Sequence, residues 1–562
     1  MYAYNSLTCF LHPACAGCFG KEFFMPAWLK DAVFYEIYPQ SFYDTNKDGI
    51  GDIEGIIRKL DYIKGLGCNA LWINPCFDSP FKDAGYDVRD YKKVAPRYGT
   101  NDDLVRLFKT AHEKGIKVLL DLVPGHTSEE HEWFKKSCEE ERNEYSDRYI
   151  WSDFCFAPAG IGNPYIGGES KRNGTYLLNF FKCQPALNYG WLKPQFPWQC
   201  TIDAPAAIAT REAMKDVMRF WMDQGCDGFR VDMAASLVKN DDEKKTGTSK
   251  IWKNVREMFD KDYPECVLVS EWSNPELSLA AGFHCDFMLN EGGPQKPMYS
   301  TLVRDYQNHA DHIVLSDGCF NGKVPVSQRP YYEDHSYFRM DSDSNIMDFI
   351  TPFTERYEKT KDLGYISPLT CNHDTVRPAF GLSEQELKLY YALLFTLPGV
   401  PFLYYGDEVG MHYQSLHTKE GGYFRTGSRT PMQWTEGKNL GFSDADADAL
   451  YLPVDPDGAE QTVQAQEGKK DSLLEAVRGM LAARHQYDGF KADAPFKVLH
   501  AAPKDPLLIY SRGDRIVAIN PSSKTVEAKL DSTESRKAIW SVGQGTLENG
   551  VVTLAPQTAV FF

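Results

Sequence analysis

Long apolar runs are missing from this sequence. No stretch of about 20 consecutive apolar residues occurs, which excludes a helix that spans a bilayer. Positive charge is also in short supply, with 61 Lys and Arg against 78 Asp and Glu, a net charge of −17. Nucleic acids and anionic membrane surfaces are recognised by clustered Lys and Arg, so neither is expected as a partner, and a neutral substrate suits the acidic balance. Residues 1–24 lack the basic start and continuous apolar segment of a secretory leader. Strand-like sequence begins only near Met25-Pro26-Ala27-Trp28, so Met25 is read as the natural start and 1–24 as an extension without a role in the fold. Disulfide spacing is absent too. The 14 cysteines are scattered through apolar runs (Cys68, Cys76, Cys226, Cys266, Cys285 and Cys371 among them), as for free thiols in a reducing, cytoplasmic compartment. Cys15-Ala16-Gly17-Cys18 has no second pair at zinc-ligand spacing.

What is present is a chain of 562 residues, 43% hydrophobic and 13% aromatic, long enough for two to four domains. From Val33 onward, short apolar runs alternate with helical patterns. Strands are predicted at Val33–Phe42, Ala70–Phe77, Ile116–Val123, Gly228–Met233, Val267–Trp272, His284–Leu289, Ile366–His373 and Val400–Tyr405. Each reads as a buried run and not as a polar/apolar alternation, as expected for parallel strands covered on both faces. Between them, Leu104, Leu107, Phe108 and Ala111 recur at helical spacing and stop at Gly115. Met214, Val217, Met218 and Trp221 do the same before Gly225, and a further helix runs from Ser472 to about Tyr487.

Eight such alternations predict an α/β fold, a (β/α)8 TIM barrel. Two connections are too long for simple loops: residues 125–205 after the third strand, and 290–362 between the sixth and seventh. Short strands at Leu507–Ser511, Arg515–Ile519, Val526–Leu530, Val551–Leu554 and Ala559–Phe562 predict a C-terminal antiparallel β domain. The division is therefore 1–24 as extension, 25–124 with 206–488 as barrel (domain A), 125–205 as domain B, and 489–562 as domain C.

In a barrel of this kind catalytic groups lie at the carboxyl ends of strands. Asp232 ends the fourth in Gly228-Phe229-Arg230-Val231-Asp232, Glu271 ends the fifth in Val269-Ser270-Glu271, and Asp374 ends the seventh in Asn372-His373-Asp374. A single strand-end acid is usually a helix cap. Three on one rim, beside Arg230, His126 and His373, point to chemistry instead. Two carboxyl groups about 5–5.5 Å apart cleave a glycosidic bond with retention, one attacking the anomeric carbon while the other donates a proton to the leaving oxygen. Arg230, two residues before Asp232, lies on the same side of its strand and can keep that nucleophile ionised. Glu271 must hold a proton, which a desolvated or acid-crowded setting favours.

These motifs closely resemble glycoside hydrolase family 13, the α-amylase family, from about Met25 to the C-terminus. The best match is the oligo-1,6-glucosidase/α-glucosidase branch, with trehalose synthases as near relatives. Asp121-Leu122-Val123-Pro124-Gly125-His126 is similar to the third-strand motif, and the segments ending in Asp232, Glu271 and Asp374 to the fourth, fifth and seventh. The resemblance implies Asp232 as nucleophile, Glu271 as acid/base, and Asp374 as the carboxylate that binds sugar hydroxyls. It implies hydroxyl-binding roles for His126 and His373, and glucose binding by Tyr86 and Asp87 in Gly85-Tyr86-Asp87-Val88. Arg425, just before Arg429-Thr430-Pro431-Met432-Gln433-Trp434, matches the arginine that completes the pocket with Asp87.

The implied activity is that of a retaining, exo-acting α-glucosidase that hydrolyses terminal α-linked glucose from short oligosaccharides or disaccharides. Gln184-Pro185-Ala186-Leu187-Asn188 resembles the branch marker Gln-Pro-Asp-Leu-Asn and places 125–205 as a wall of the cleft. Two readings compete. A glucosyl-transferring isomerase of the trehalose synthase or sucrose isomerase type uses the same carboxylates. A non-catalytic binding subunit calls for a membrane helix and missing carboxylates, neither of which is seen.

Asp44-Thr45-Asn46-Lys47-Asp48-Gly49-Ile50-Gly51-Asp52 sets hard oxygen ligands at alternate positions around glycine, as Ca2+ loops do. In isolation an Asp/Asn-rich turn capping the helix from Asp52 is the better explanation. The branch resemblance implies a structural Ca2+ held by Asp44, Asn46, Asp48, Ile50 and Asp52; no organic cofactor is expected. Gly125 stands where many family members carry the calcium-ligating Asn, so that other site is expected to be absent. Met233 matches neither linkage-linked alternative and leaves α-1,4 against α-1,6 open. Oligomeric state is not legible.

Overall fold

A computed structural model describes residues 24–152, 165–167, 169–288, 300–303, 336–414, 416, 419 and 424–562. Its centre is a sheet of eight parallel strands: β1 Phe34–Ile37, β2 Ala70–Ile73, β3 Lys117–Leu122, β4 Gly228–Val231, β5 Val267–Ser270, β6 Cys285–Phe287, β7 Tyr365–Ser367 and β8 Phe402–Tyr404. The order β7-β6-β5-β4-β3-β2-β1-β8 is sequential around the sheet. A parallel bridge between Leu369 and Phe402 joins its two edges, so the sheet curls into the predicted barrel.

Side chains alternate between two cores, as strand geometry demands. Phe34, Trp72, Leu119, Val269, Phe287 and Phe402 fill the barrel interior. Tyr35, Leu71, Leu120, Phe229 and Leu268 face outward into a larger cluster with the helices. Gly228 opens β4 at φ +133°, where a Cβ would lie 2.0 Å from the Val267 carbonyl oxygen, so only glycine fits there.

The strands end sooner than the apolar runs do. β1 stops at Ile37, since Pro39 lacks the N–H that a ladder needs and begins a one-turn helix, Pro39–Ser41. β2 stops before Pro75 and β7 before Pro368. The residues beyond, predicted as strand, line the carboxyl rim as loop.

The predicted helical faces are buried as expected. α1, Ile53–Leu66, is capped by Asp52, whose carboxylate accepts from Gly55 N. α2, Asn101–Glu113, begins with a reciprocal Thr100/Asp103 capping box and buries Leu104, Leu107, Phe108 and Ala111. α3 (Pro205–Met222), α4 (Thr246–Asp262) and α5 (Pro275–Ala280) follow, then α6 (Met347–Thr360), α7 (Glu384–Leu394) and α8 (Leu473–Gln486).

α6 shortens the excursion read at 290–362. Phe349, Ile350 and Phe353 form its buried face, a pattern obscured by Pro352 within the helix. Residues 290–299 and 304–335 of that segment lie outside the described residues, as do 1–23 with Cys15 and Cys18. Met25 packs against the interior core. The nine described cysteines are all free, and no helix among the described residues is long and apolar enough to cross a membrane.

After β3 the chain forms a small antiparallel sheet from Trp151–Ser152, Tyr165–Gly167 and Thr175–Leu177. Beyond α8 lie two antiparallel sheets, one of five strands and one of three. They include Phe496–His500, Trp540–Val542 and Gly545–Glu548, which the sequence reading missed because each is short and only partly buried.

Candidate active site

The inward alternation of β3, β4 and β5 puts Asp121, Arg230, Asp232 and Glu271 on the barrel axis at its carboxyl end. Arg230 and Asp121 have wholly buried side chains, whereas those of Asp232, Glu271 and Asp374 remain 12%, 22% and 28% exposed. Substrate can therefore meet the three acids but not the frame that holds them.

Arg230 is the hub of that frame. Its Nη1 donates to Asp121 Oδ1 at 3.0 Å and Asp232 Oδ1 at 3.1 Å, and Nη2 forms an ion pair with Glu271 Oε2 at 2.7 Å. That last contact lacks the alignment of a hydrogen bond. Burial and then the Glu271 carboxyl push the Asp232 carboxyl upward, and Arg230 opposes both.

Met233 follows Asp232 in a left-handed conformation, φ 42° and ψ 44°. From there its N–H donates to Glu271 Oε2 at 3.1 Å. One oxygen of Glu271, Oε2, is thereby engaged by both Met233 and Arg230.

Asp374 is held from two sides. Arg429 Nη2 donates to its Oδ1 at 2.8 Å, and His373 Nε2 lies 3.2 Å from its Oδ2. Arg429 also donates from Nε to the His373 carbonyl. Arg429 is the site residue that the sequence reading passed over, since it appeared only as the first letter of a motif.

Behind Asp374, His373 Nδ1 lies 2.8 Å from Glu36 Oε1 and Nε2 lies 2.7 Å from the Tyr86 hydroxyl. That hydroxyl donates to Asp121 Oδ2 at 3.0 Å. Burial alone would depress His373, but Asp374 and Glu36 outweigh it and raise the imidazole to about 9. The ring links the Asp374 side of the rim to the Arg230 side.

Other predicted residues are engaged with neighbouring protein groups. His126 is held down to about 4 by burial and is therefore neutral. Its Nε2 contacts the Tyr86 carbonyl and its Nδ1 the Asn179 amide, both at 3.0 Å, so both nitrogens are engaged with protein. Asn179 also explains Gly125, where a Cβ would come within 2.9 Å of its Nδ2. The buried Lys239 amine, reaching Ser236 O at 2.9 Å and Asn179 Oδ1 at 3.4 Å, meets this junction too, and burial lowers it to about 8.

Asp87 is fully buried. It accepts from Ser79 Oγ, Lys82 N and Asp83 N, all at 3.0 Å, so it closes its own loop instead of presenting a free carboxylate to sugar. Burial raises it to about 6. Arg425 lies on the one-turn helix Phe424–Ser428, and its side chain falls outside what the structure describes. The pairing of Asp87 with Arg425 is thus not seen. Gln184 braces the wall instead, donating from Nε2 to Asp83 at 2.8 Å.

In the 44–52 loop, Asp44, Asn46 and Asp48 each accept from the backbone N–H two residues on, at 2.9–3.0 Å. Asp44 Oδ2 also accepts from Gly49 N and Ser443 Oγ, and Asp52 is committed to Thr45 and the α1 cap. The side chains close the loop by themselves. Among the described residues no three His, Cys, Asp or Glu side chains converge as a metal set.

Residues 36–493 match the family model described as "Alpha amylase, catalytic domain". The chain belongs to the α-amylase family, glycoside hydrolase family 13. It is 36% identical over 492 residues to the trehalose synthase/amylase TreS of Mycolicibacterium smegmatis, covering 82% of this chain and 77% of that protein. It is 31% identical over 559 residues to an oligo-1,6-glucosidase of Heyndrickxia coagulans, covering 89% and 93%. Among solved structures, the α-glucosyl transfer enzyme XgtA superposes with a TM-score of 0.74 at 26% identity, covering 96% of this chain and 99% of that one. Membership in this family makes the chain a glycosidase-type enzyme, a hydrolase or transferase of glycosyl groups.

Proposed function

We propose that this enzyme cleaves α-glucosides of short saccharides by double displacement. Asp232 attacks the anomeric carbon while Glu271 protonates the leaving oxygen, and Glu271 then takes a proton from the acceptor that releases the glucosyl group from Asp232. Asp374, carried by Arg429 and His373, binds sugar hydroxyls beside the reacting carbon. The observation that supports this most directly is the Arg230 hub, a single buried cation contacting both working carboxylates.

Two acceptors are compatible with these atoms. With water the enzyme is the α-glucosidase of the sequence reading; with the departed sugar it is an isomerase. The similarity to trehalose synthases favours the second as strongly as that to the oligo-1,6-glucosidase favours the first. Incubation with maltose, isomaltose, sucrose and trehalose, followed by NMR, separates them. Free glucose marks hydrolysis and a new disaccharide marks isomerisation. Retention predicts α-configured first product in either case, and β-glucose as the first-formed anomer would overturn the mechanism.

Exo action draws no support from Asp87 as placed; a maltose-to-maltoheptaose series tests it, since an exo enzyme releases only glucose from every member. A structural Ca2+ at Asp44, Asn46, Asp48, Ile50 and Asp52 is a subsidiary proposal, supported by the alternate oxygen spacing alone. At a hundredfold excess over Kd it would add about 2.7 kcal/mol of stability. A melting temperature identical in Ca2+ and in chelator would remove it.

A further inference from the structure

Glu271 stands at the start of a sharp turn. The chain leaves β5 at Ser270, passes through Trp272, Ser273 and Asn274, and enters α5, whose N-cap is Asn274. Ser273 sits at φ +57°, a left-handed conformation that a serine holds only when its surroundings impose it. The imposing group is on the neighbouring strand. Asp286, in β6, is fully buried. Its Oδ1 accepts from Ser270 Oγ at 2.6 Å and Trp272 N at 3.1 Å, and its Oδ2 from Asn274 N at 2.8 Å. Ser270 Oγ is in turn 2.5 Å from Ser278 Oγ on α5.

Asp286 belongs to the outward parity of β6, because Cys285 and Phe287 on either side of it fill the barrel interior. Its carboxylate therefore grips the turn from behind, away from the cleft. Strand parity separates it from substrate, and no other described carboxylate accepts from the backbone of this turn.

From these contacts we infer that Asp286 is a positioning residue for Glu271. It holds the chain on both sides of the acid/base, through the Ser270 hydroxyl before it and the Trp272 and Asn274 N–H groups after it, while Met233 N–H and Arg230 fix the carboxyl end. The inference rests on Glu271 being the group that protonates the leaving oxygen. Displacing a catalytic group by about 1 Å costs on the order of 10²-fold in rate, and here the loss should fall on the protonated step alone.

That specificity supplies the test. A sugar leaving group needs a proton from Glu271, whereas fluoride leaves α-glucosyl fluoride without one. kcat/KM, which reports the step up to glucosyl-enzyme formation, is measured for maltose and α-glucosyl fluoride in the full chain. The variants are Asp286→Asn, Ser270→Ala and, as benchmark, Glu271→Gln. Asp286→Asn is expected to lose about 10²-fold on maltose and less than about tenfold on the fluoride, with Ser270→Ala showing the same selectivity more weakly.

Equal losses on both substrates, or no loss on either, would overturn the positioning role. If Asp286→Asn does not fold, Ser270→Ala decides by the same criterion. Should Glu271→Gln itself lose equally on both substrates, the acid/base assignment falls, a failure distinct from that of Asp286.

Discussion

Asp232→Asn lowers kcat on the order of 10⁴–10⁶-fold, the range found when a nucleophile is removed from a group of residues that work as a unit. The argument is chemical before it is structural. The covalent route needs a carboxylate oxygen at the anomeric carbon, and an amide cannot form the glycosyl ester. The amide oxygen still accepts from Arg230 Nη1, which donates to Asp232 Oδ1 at 3.1 Å, so the fold should survive. Steady-state kinetics with a matched thermal melt reads both. Asp232→Ala adds a sharper check, since azide can enter the vacated space and leave as β-glucosyl azide. Turnover within tenfold of wild type in the asparagine variant would take Asp232 out of its role.

Arg230→Met is expected to destabilise the protein by about 3–5 kcal/mol, because it strands buried carboxylates without their cation. Asp121 is wholly buried and Asp232 nearly so, and burial already pushes both of their carboxyls upward with Arg230 in place. Without it they rise further. An acid whose folded pKa is raised binds protons more tightly in the folded state, so stability falls as pH rises through that range. The deficit relative to wild type should therefore be larger at pH 8 than at pH 5. Urea unfolding at several pH values measures it. A loss below about 1 kcal/mol, or one independent of pH, would mean that Arg230 is not the electrostatic hub.

Much of this was legible in one dimension. Parallel strands covered on both faces read as apolar runs, and eight of them separated by helical patterns leave few architectures. The carboxylates were legible because each sits where an apolar run stops, at the barrel end where such folds place their chemistry. Strand limits were less so. Pro39, Pro75 and Pro368 each cut a run short, and the chain beyond became the rim.

The partners were the hidden part. Glu36 and His373 are 337 positions apart, and Arg429 reaches Asp374 from 55 positions on. Neither spacing follows a helical or strand period, so no local pattern encodes it. Asp87 shows the converse: a motif position that looked like a ligand of sugar is consumed by backbone donors of its own loop. Asp286 carried no signal at all, because alternation only says that it faces away from the barrel interior.

The sequence by itself therefore determined the barrel, the family and the rim placement of three acids, since apolar periodicity and strand-end placement are written locally. Only the tertiary structure decided which groups hold those acids, which of their oxygens stay free and which motif residues merely build the wall. Those properties depend on distances between side chains far apart in the chain, and only closure of the barrel brings them together.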